Sequence, residues 1–220
     1  MTLKGRFSFD ATAHLYRIGQ YQVPGTSAVL EAAGYLAGLR RASGASRWRG
    51  EQVHALAAAV DMGTLASEPE VRRWLATHSG PAPLAGWLAG YRAFMAGSRP
   101  RYTLIETPVV DRRRGFATVV DRAGWLFGAP MVLNLKSGAK DSAHAVQRAL
   151  EVLALDGRRS RRRRFTLYLR PSGRFRLEEH INDGDFDAAE EALILWRQHA
   201  HDPARHYPLR LVRPFRRKAR

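Results

Sequence analysis

Two short apolar runs end on residues that can do chemistry. GFATVVD closes on Asp121, and APMVLNLK closes on Asn134 and Lys136. Hydrolysis of a phosphodiester at neutral pH needs a bound metal to polarise the phosphoryl oxygen and lower the pKa of a water. Mg²⁺ takes oxygen ligands, usually one or two carboxylates plus waters and substrate. Asp121 offers a carboxylate and the main-chain carbonyl of Leu135 a neutral oxygen. Lys136 lies two residues from Asn134 and so on the same strand face, where it could orient the attacking water or offset developing charge. Taken singly, an aspartate at a strand end is an ordinary turn residue and a lysine there an ordinary solvated one. Asn134 sits where this chemistry wants a second carboxylate. It has the shape of aspartate but no formal charge, so Mg²⁺ binding should weaken while the fold survives. His54 lies beside an apolar helical stripe of Val53, Leu56, Ala57 and Val60. It reads either as a packing residue or as an imidazole ligand, better suited to Mn²⁺ than to Mg²⁺. Glu106 stands equally open, as an additional acid at the metal or as a strand residue paired with one of the many arginines.

These residues need elements to hold them. Residues 6–23 alternate with strand period and turn at Gly19-Gln20, which predicts a hairpin. Pro24-Gly25 ends it, and Ser27 is placed to cap a helix reaching Gly34. A Gly/Ser/Arg stretch over 38–50 leads to a helix from Glu51 that carries His54, with further helices expected near 68–78 and 83–96. Residues 102–111 read as the strand holding Glu106, and 115–121 as its antiparallel neighbour. A turn-prone segment around Gly124 and Gly128–Pro130 precedes the strand ending at Lys136. Asp141 then caps a helix over 142–155. Its Val146, Ala149, Leu150 and Leu153 face inward, while Gln147 and Glu151 stand four apart on a flank. A charged loop over 157–164, strands over 165–170 and 174–179, and a helix over 184–200 follow. Strands in the middle with helices before and after predict an α/β (α+β) domain with a central mixed sheet flanked by helices. A chain of 220 residues is expected to be one domain over 1–212. It divides into an N-terminal hairpin and helical region (1–100) and a core (101–200), with a basic tail (213–220) that should fray.

Lys+Arg 36 against Asp+Glu 20 gives a net charge of +16. Such an excess points to a polyanionic partner, nucleic acid before acidic membrane. The cations cluster at Arg112, Arg113 and Arg114, at Arg158, Arg159, Arg161, Arg162, Arg163 and Arg164, and at Arg213, Arg216, Arg217, Lys218 and Arg220. Arginine-rich loops suit phosphate contacts, which position nucleic acid without reading sequence and weaken steeply with salt. A solubilising surface is the plainer alternative. Trp48, Trp87, Trp125 and Phe127 offer surfaces for base stacking, although core packing is the commoner use. No apolar run approaches the roughly 18 residues of a membrane span, and no basic amphipathic helix stands out. With no signal-peptide pattern either, a cytoplasmic location is expected, without a membrane partner. The cysteine count of 0 excludes disulfides, thiolate zinc sites and iron–sulfur clusters. Any metal is left to His, carboxylates, amides and carbonyls.

Taken in order, these segments make the chain resemble the PD-(D/E)XK nuclease superfamily over most of its length. The likeness is to the RecB-type exonuclease branch, with its phage-encoded and mitochondrial genome-maintenance members. FDATAHLYRIGQYQVPGTSAVL is similar to the family's N-terminal segment, a His-x-Tyr strand leading to a Val-Pro-x-x-(Ser/Thr) helix entry. RGEQVHALA resembles its Gly-x-x-x-His helix, which implies His54 as a metal ligand. IETP resembles the glutamate-bearing strand at Glu106, and GFATVVDR the strand that supplies a ligand aspartate, here Asp121. VLNLKSGA is similar to Val-(Ile/Leu)-Asp-x-Lys-(Thr/Ser)-Gly, which implies Lys136 as the catalytic lysine. VQRALE resembles the helix carrying Gln-x-x-x-Tyr, which implies that Gln147 helps orient the scissile strand. The resemblance implies a restriction-endonuclease-like core, with Mg²⁺ or Mn²⁺ held by His54, Asp121, residue 134 and the Leu135 carbonyl. It also implies a DNA exonuclease of repair, recombination or phage DNA processing, in a bacterial or phage-infected cell. Two positions depart. Glu151 stands where the family often has tyrosine, and Asn134 where it has a carboxylate. The second departure implies either a substitution that disables the site, favoured by its intact neighbours, or a natural variant that binds DNA without cutting.

Overall fold

The structure is a computed structural model that describes residues 3–36, 43–78 and 84–200. Five strands form the main sheet: β4 (Arg101–Asp111), β5 (Phe116–Leu126), β6 (Ala129–Lys136), β7 (Arg163–Leu169) and β8 (Phe175–Glu179). They lie in sequence order, antiparallel except for the parallel β6–β7 pair. A parallel pair needs a crossover, and α5 (Ala143–Leu155) supplies it. The period of two along β6 then divides the core. Met131, Leu133 and Leu135 face α2 (Gly44–Asp61) and α4 (Ala85–Ser98), where Val53, Leu56, Leu88 and Phe94 meet them. Val132 faces α1 (Thr26–Ala32), α5 and α6 (Gly184–Ala200), in a cluster with Leu30, Leu150 and Leu193. This is the mixed sheet flanked by helices that the element order predicts. Helix α3 (Glu68–Thr77) starts on a capping box of Ser67 and Glu70. Among the described residues no helix is long and apolar enough to cross a membrane.

Several boundaries differ from expectation for identifiable reasons. The N-terminal hairpin is a three-stranded sheet of β1 (Phe7–Asp10), β2 (Leu15–Ile18) and β3 (Tyr21–Val23). Its extra turn forms because Asp10 Oδ1 accepts the N–H groups of Thr12 and Ala13, both at 3.0 Å. Helix α1 begins at Thr26 after Gly25 with no side-chain cap, so Ser27 lies inside it. Helix α2 starts at Gly44 rather than Glu51, because Ser43 accepts the Ser46 N–H and caps it early. Residues 38–42 of the Gly/Ser/Arg stretch lie outside the described residues, as does the basic tail. Strand β5 runs past Asp121, and the turn falls at Phe127–Gly128. Gly124 lets β4 come close, since a Cβ there would stand 1.9 Å from the Arg101 carbonyl oxygen. Asp121 is therefore inside a strand, not at its end. Strand β7 takes up Arg163 and Arg164, which the sequence places in a loop.

Candidate functional site

The sheet register lines up three polar residues. Pairing of Ile105 with Arg122 and of Thr107 with Val120 puts Glu106 across from Asp121. Pairing of Arg122 with Leu133 puts Asp121 beside Asn134 on the other side. The β5–β6 ladder ends at Arg122 and Leu133. One step on, the Leu135 N–H donates to the Asp121 carboxylate at 3.0 Å instead of to a main-chain carbonyl. The splayed strand ends admit His54 from α2. Its Nδ1 lies 3.2 Å from Glu106 Oε1 and 3.4 Å from Asp121 Oδ2, and its Nε2 3.0 Å from the Leu135 carbonyl oxygen. Glu106 reaches this position in the left-handed region, at φ 42°. A non-glycine residue held there stores strain, a feature that clusters at functional sites.

His54, Glu106 and Asp121 each present one donor atom, all within 4.8 Å of one another. Octahedral ligands at roughly 2.1 Å from a small hard cation stand about 3 Å apart, close to the 3.2 and 3.4 Å between His54 Nδ1 and the two carboxylates, so the spacing suits a divalent cation once Glu106 and Asp121 draw together. Burial pushes the His54 imidazole down, but Asp121 and Glu106 outweigh it and hold the ring above its ordinary 6.5, against the opposing charge of Lys136. A proton on the ring thus occupies the place a cation would take. Asn134 is 2% exposed and lines the same cleft. Its Oδ1 has no hydrogen-bond partner, and a buried unpaired acceptor is rare enough to call for a ligand or water. Lys136 Nζ donates to Gln147 Oε1 at 3.1 Å. Burial and then Arg148 push the lysine down to about 8. All the residues expected at the centre are therefore brought together: His54, Glu106, Asp121, Asn134, Leu135, Lys136 and Gln147.

Two buried ion pairs go beyond what the sequence predicts. Helix α2 carries His54 and Asp61 two turns apart on one face. Arg122, fully buried, donates from Nε to Asp61 Oδ2 at 2.5 Å and from Nη1 to Glu106 Oε1 at 2.9 Å and to the Asp121 carbonyl at 2.6 Å. Tyr91 on α4 donates to both Asp61 oxygens, at 2.7 and 2.6 Å. Burial lowers the Arg122 pKa, but Tyr91, Asp61, Glu106 and Asp121 raise it further, so it ends above its ordinary value. A legible signal existed: Arg122 follows Asp121 inside an otherwise apolar strand. On α5, Arg148 and Glu151 pair at 2.6 Å with neither exposed. Glu151 therefore does not stand on an open flank. Burial drives it upward toward its neutral form, against the attraction of Arg148.

The basic clusters are more occupied than the sequence implies. Arg112 donates to the Gly5 carbonyl at 2.7 Å. Arg114 pairs with Asp111 and Glu190, and Arg158 with Asp187 and Glu190. Arg162 pairs with Asp156, Arg163 holds Glu179 through two nitrogens, and Arg164 pairs with Asp185. These six therefore already serve as internal ties. Arg113, Arg159 and Arg161 have no such partner among the described residues. Of the aromatic residues, Trp87 is buried, whereas Trp125 and Phe127 are exposed at the β5–β6 turn.

The centre opens into a cleft of about 790 Å³. Phe9, His14 and Tyr16 line one side, and Arg47 and Arg49 of α2 contribute to the lining as well. No family model matches the chain, and no curated protein matches it. Among solved structures, the crystal structure of SSO0001 aligns over 77% of this chain and 84% of that chain, at 11% identity and a TM-score of 0.31. A likeness at that level transfers neither fold nor function, so the reading of the site rests on its own geometry.

Proposed function

We propose that the chain is a metal-dependent DNA nuclease of the PD-(D/E)XK type, an exonuclease of the RecB-like branch, with its site weakened by Asn134. The observation that carries this is the convergence of His54, Glu106 and Asp121 within 4.8 Å beside Lys136 in one cleft. Mg²⁺ or Mn²⁺ would be held by His54, Glu106, Asp121 and the Asn134 and Leu135 oxygens. Bound there, the ion would polarise the phosphoryl oxygen and acidify a water. Arg122 keeps Glu106 aimed at the centre. Lys136, tethered by Gln147 and with a pKa of about 8, can hold or release a proton at Nζ near neutral pH. The work would be cytoplasmic and on DNA. The neutral, unpartnered Asn134 favours a second reading, a protein of this fold that binds DNA without cutting it.

End-labelled DNA with Mn²⁺ separates the two. The chain as it stands is compared with Asn134→Asp, and with Lys136→Ala in that second background. Cutting that appears with Asn134→Asp and vanishes with Lys136→Ala is the expected result. Binding by every form and cutting by none would transfer the conclusion to the binding protein.

A further inference from the structure

We propose that the β1–β2 hairpin is a base-stacking wall that admits one DNA strand at a time to the cleft; this rests on the nuclease reading of the centre beneath it. Phe9 and Tyr16 stack with centroids 4.7 Å apart and planes at 17°. The His14 ring stands edge-on to both, 5.5 Å from each, and its Nε2 lies 3.2 Å from the Tyr16 hydroxyl. The imidazole is thus fixed by two rings and a hydrogen bond, yet it is exposed. It is carried at φ 52°, a conformation that histidine tolerates better than most residues. A rigid, exposed, flat ring on the lining of a cleft suits a nucleobase, and histidine is among the side chains on which unpaired bases stack.

Other parts of the lining complete such a slot. Arg47 is exposed and has no partner among the described residues. The Arg49 guanidinium lies 5.5 Å from the centre of the Trp87 ring, and its Nε is buried without a hydrogen bond. Both suit a phosphate backbone. Thr26 is 5% exposed, lines the cleft and leaves its hydroxyl without a partner, so the slot contains an unpaired polar atom besides the one on Asn134. Wall and floor are fastened together. Gly25 precedes Thr26, and a Cβ on it would come within 2.8 Å of the Tyr16 ring. A volume of about 790 Å³ is that of a small-molecule pocket, room for roughly one or two nucleotides in file.

The test is fluorescence anisotropy with a labelled oligo(dT) and a matched blunt duplex, in EDTA, so that metal binding plays no part. The single strand is expected to bind more tightly. His14→Asn keeps the left-handed backbone and removes the ring. It should weaken oligo(dT) binding about five- to hundredfold, the range for losing one stacked base, while the loss of the ring contacts lowers the melting temperature by no more than a few degrees. Arg47→Ala should weaken it too and flatten its salt dependence. Unchanged oligo(dT) affinity in both variants, or a duplex bound as tightly as the single strand, would overturn the stacking wall and leave the nuclease reading standing. No binding of either DNA by the unaltered chain would overturn the stacking wall, while the nuclease reading stands or falls on the cutting assay with Mn²⁺.

Discussion

Asp61→Asn tests the frame behind the centre. Asp61 and Arg122 are both fully buried and meet at 2.5 Å. The substitution keeps the shape and one acceptor oxygen, removes the charge and turns the other oxygen into a donor. Breaking a buried pair by neutralising one partner costs about 3–5 kcal/mol, because the other charge is left uncompensated out of water. Glu106 still accepts from Arg122 Nη1, which places the expectation near the lower end, about 3 kcal/mol. At about 2–4 °C per kcal/mol for a chain of this size, the melting temperature should fall by about 6–12 °C. Urea unfolding followed by tryptophan fluorescence gives the free energy, and an unchanged slope shows that the same surface unfolds. Replacing both partners by apolar residues, Asp61→Leu with Arg122→Met, should not recover the loss although a buried pair is often no better than its hydrophobic isostere, because Tyr91 then loses its acceptor and Glu106 its donor. A cost of Asp61→Asn under about 1 kcal/mol, the scale of a solvated surface pair, would refute the reasoning.

Three further expectations follow from the same geometry. Asn134→Asp should tighten Mn²⁺ binding at least about tenfold by calorimetry, since a unit charge some 4 Å from an ion is worth several kcal/mol at an effective dielectric near 20 before repulsion from Asp121; no gain would mean that the metal site is wrongly drawn. Protonation of His54 should compete with the metal. Its folded pKa lies above 6.5, so the imidazolium stabilises the apo fold fully below 6.5, and that contribution disappears as pH rises through the folded value. Mn²⁺ affinity should accordingly climb over the same window with release of a proton, measured by calorimetry in buffers of different ionisation heat, and a pH-independent affinity would remove His54 from the ligand set. Gly86→Ala reverses a familiar sign: alanine is ordinarily better in a helix by about 1 kcal/mol, yet here its Cβ would stand 1.8 Å from the Pro171 carbonyl oxygen, so urea melts should show destabilisation.

The apolar runs of β5 and β6 and the apolar period of α5 are readable because burial imposes them directly on residue type. The convergence of Asp121, Lys136 and Gln147 is legible only from the order of motifs that the chain shares with a known pattern, since period alone leaves Asp121 at a strand end and Gln147 on a helix flank. Elements fixed by one side chain are not readable. Asp10 makes a turn and Ser43 starts α2 early, and either residue is as common in plain loops. Glu151 was placed on a flank because a glutamate four residues from Gln147 looks like an exposed helix residue, and only the tertiary structure supplies Arg148 to bury with it. The pairing of the clustered arginines is hidden from the sequence for a related reason. Their acidic partners Glu179, Asp185 and Glu190 come from distant segments, invisible to a count of local charge.

The acidic row is bracketed by the two buried pairs, Asp61–Arg122 from the α2 layer and Arg148–Glu151 from the α5 layer. Arg122 holds Glu106 and the Asp121 carbonyl directly, so the carboxylates are in place before any cation arrives. Preorganisation of that kind lowers the reorganisation cost of binding. On the α5 side, positive charge is in surplus: Arg148 keeps Nε and Nη1 without partners, and it is the leading electrostatic cause of the depressed Lys136 pKa. An aspartate at position 134 would enter between Asp121 and that surplus. Repulsion from Asp121 is then offset by Arg148 and Lys136, and Asn134→Asp should fold with a stability within about 1 kcal/mol of the parent, as for substitutions that create neither a cavity nor an unpaired charge. A loss of several kcal/mol in urea would show that the interior is balanced for a neutral residue, and would favour the DNA-binding reading over the nuclease.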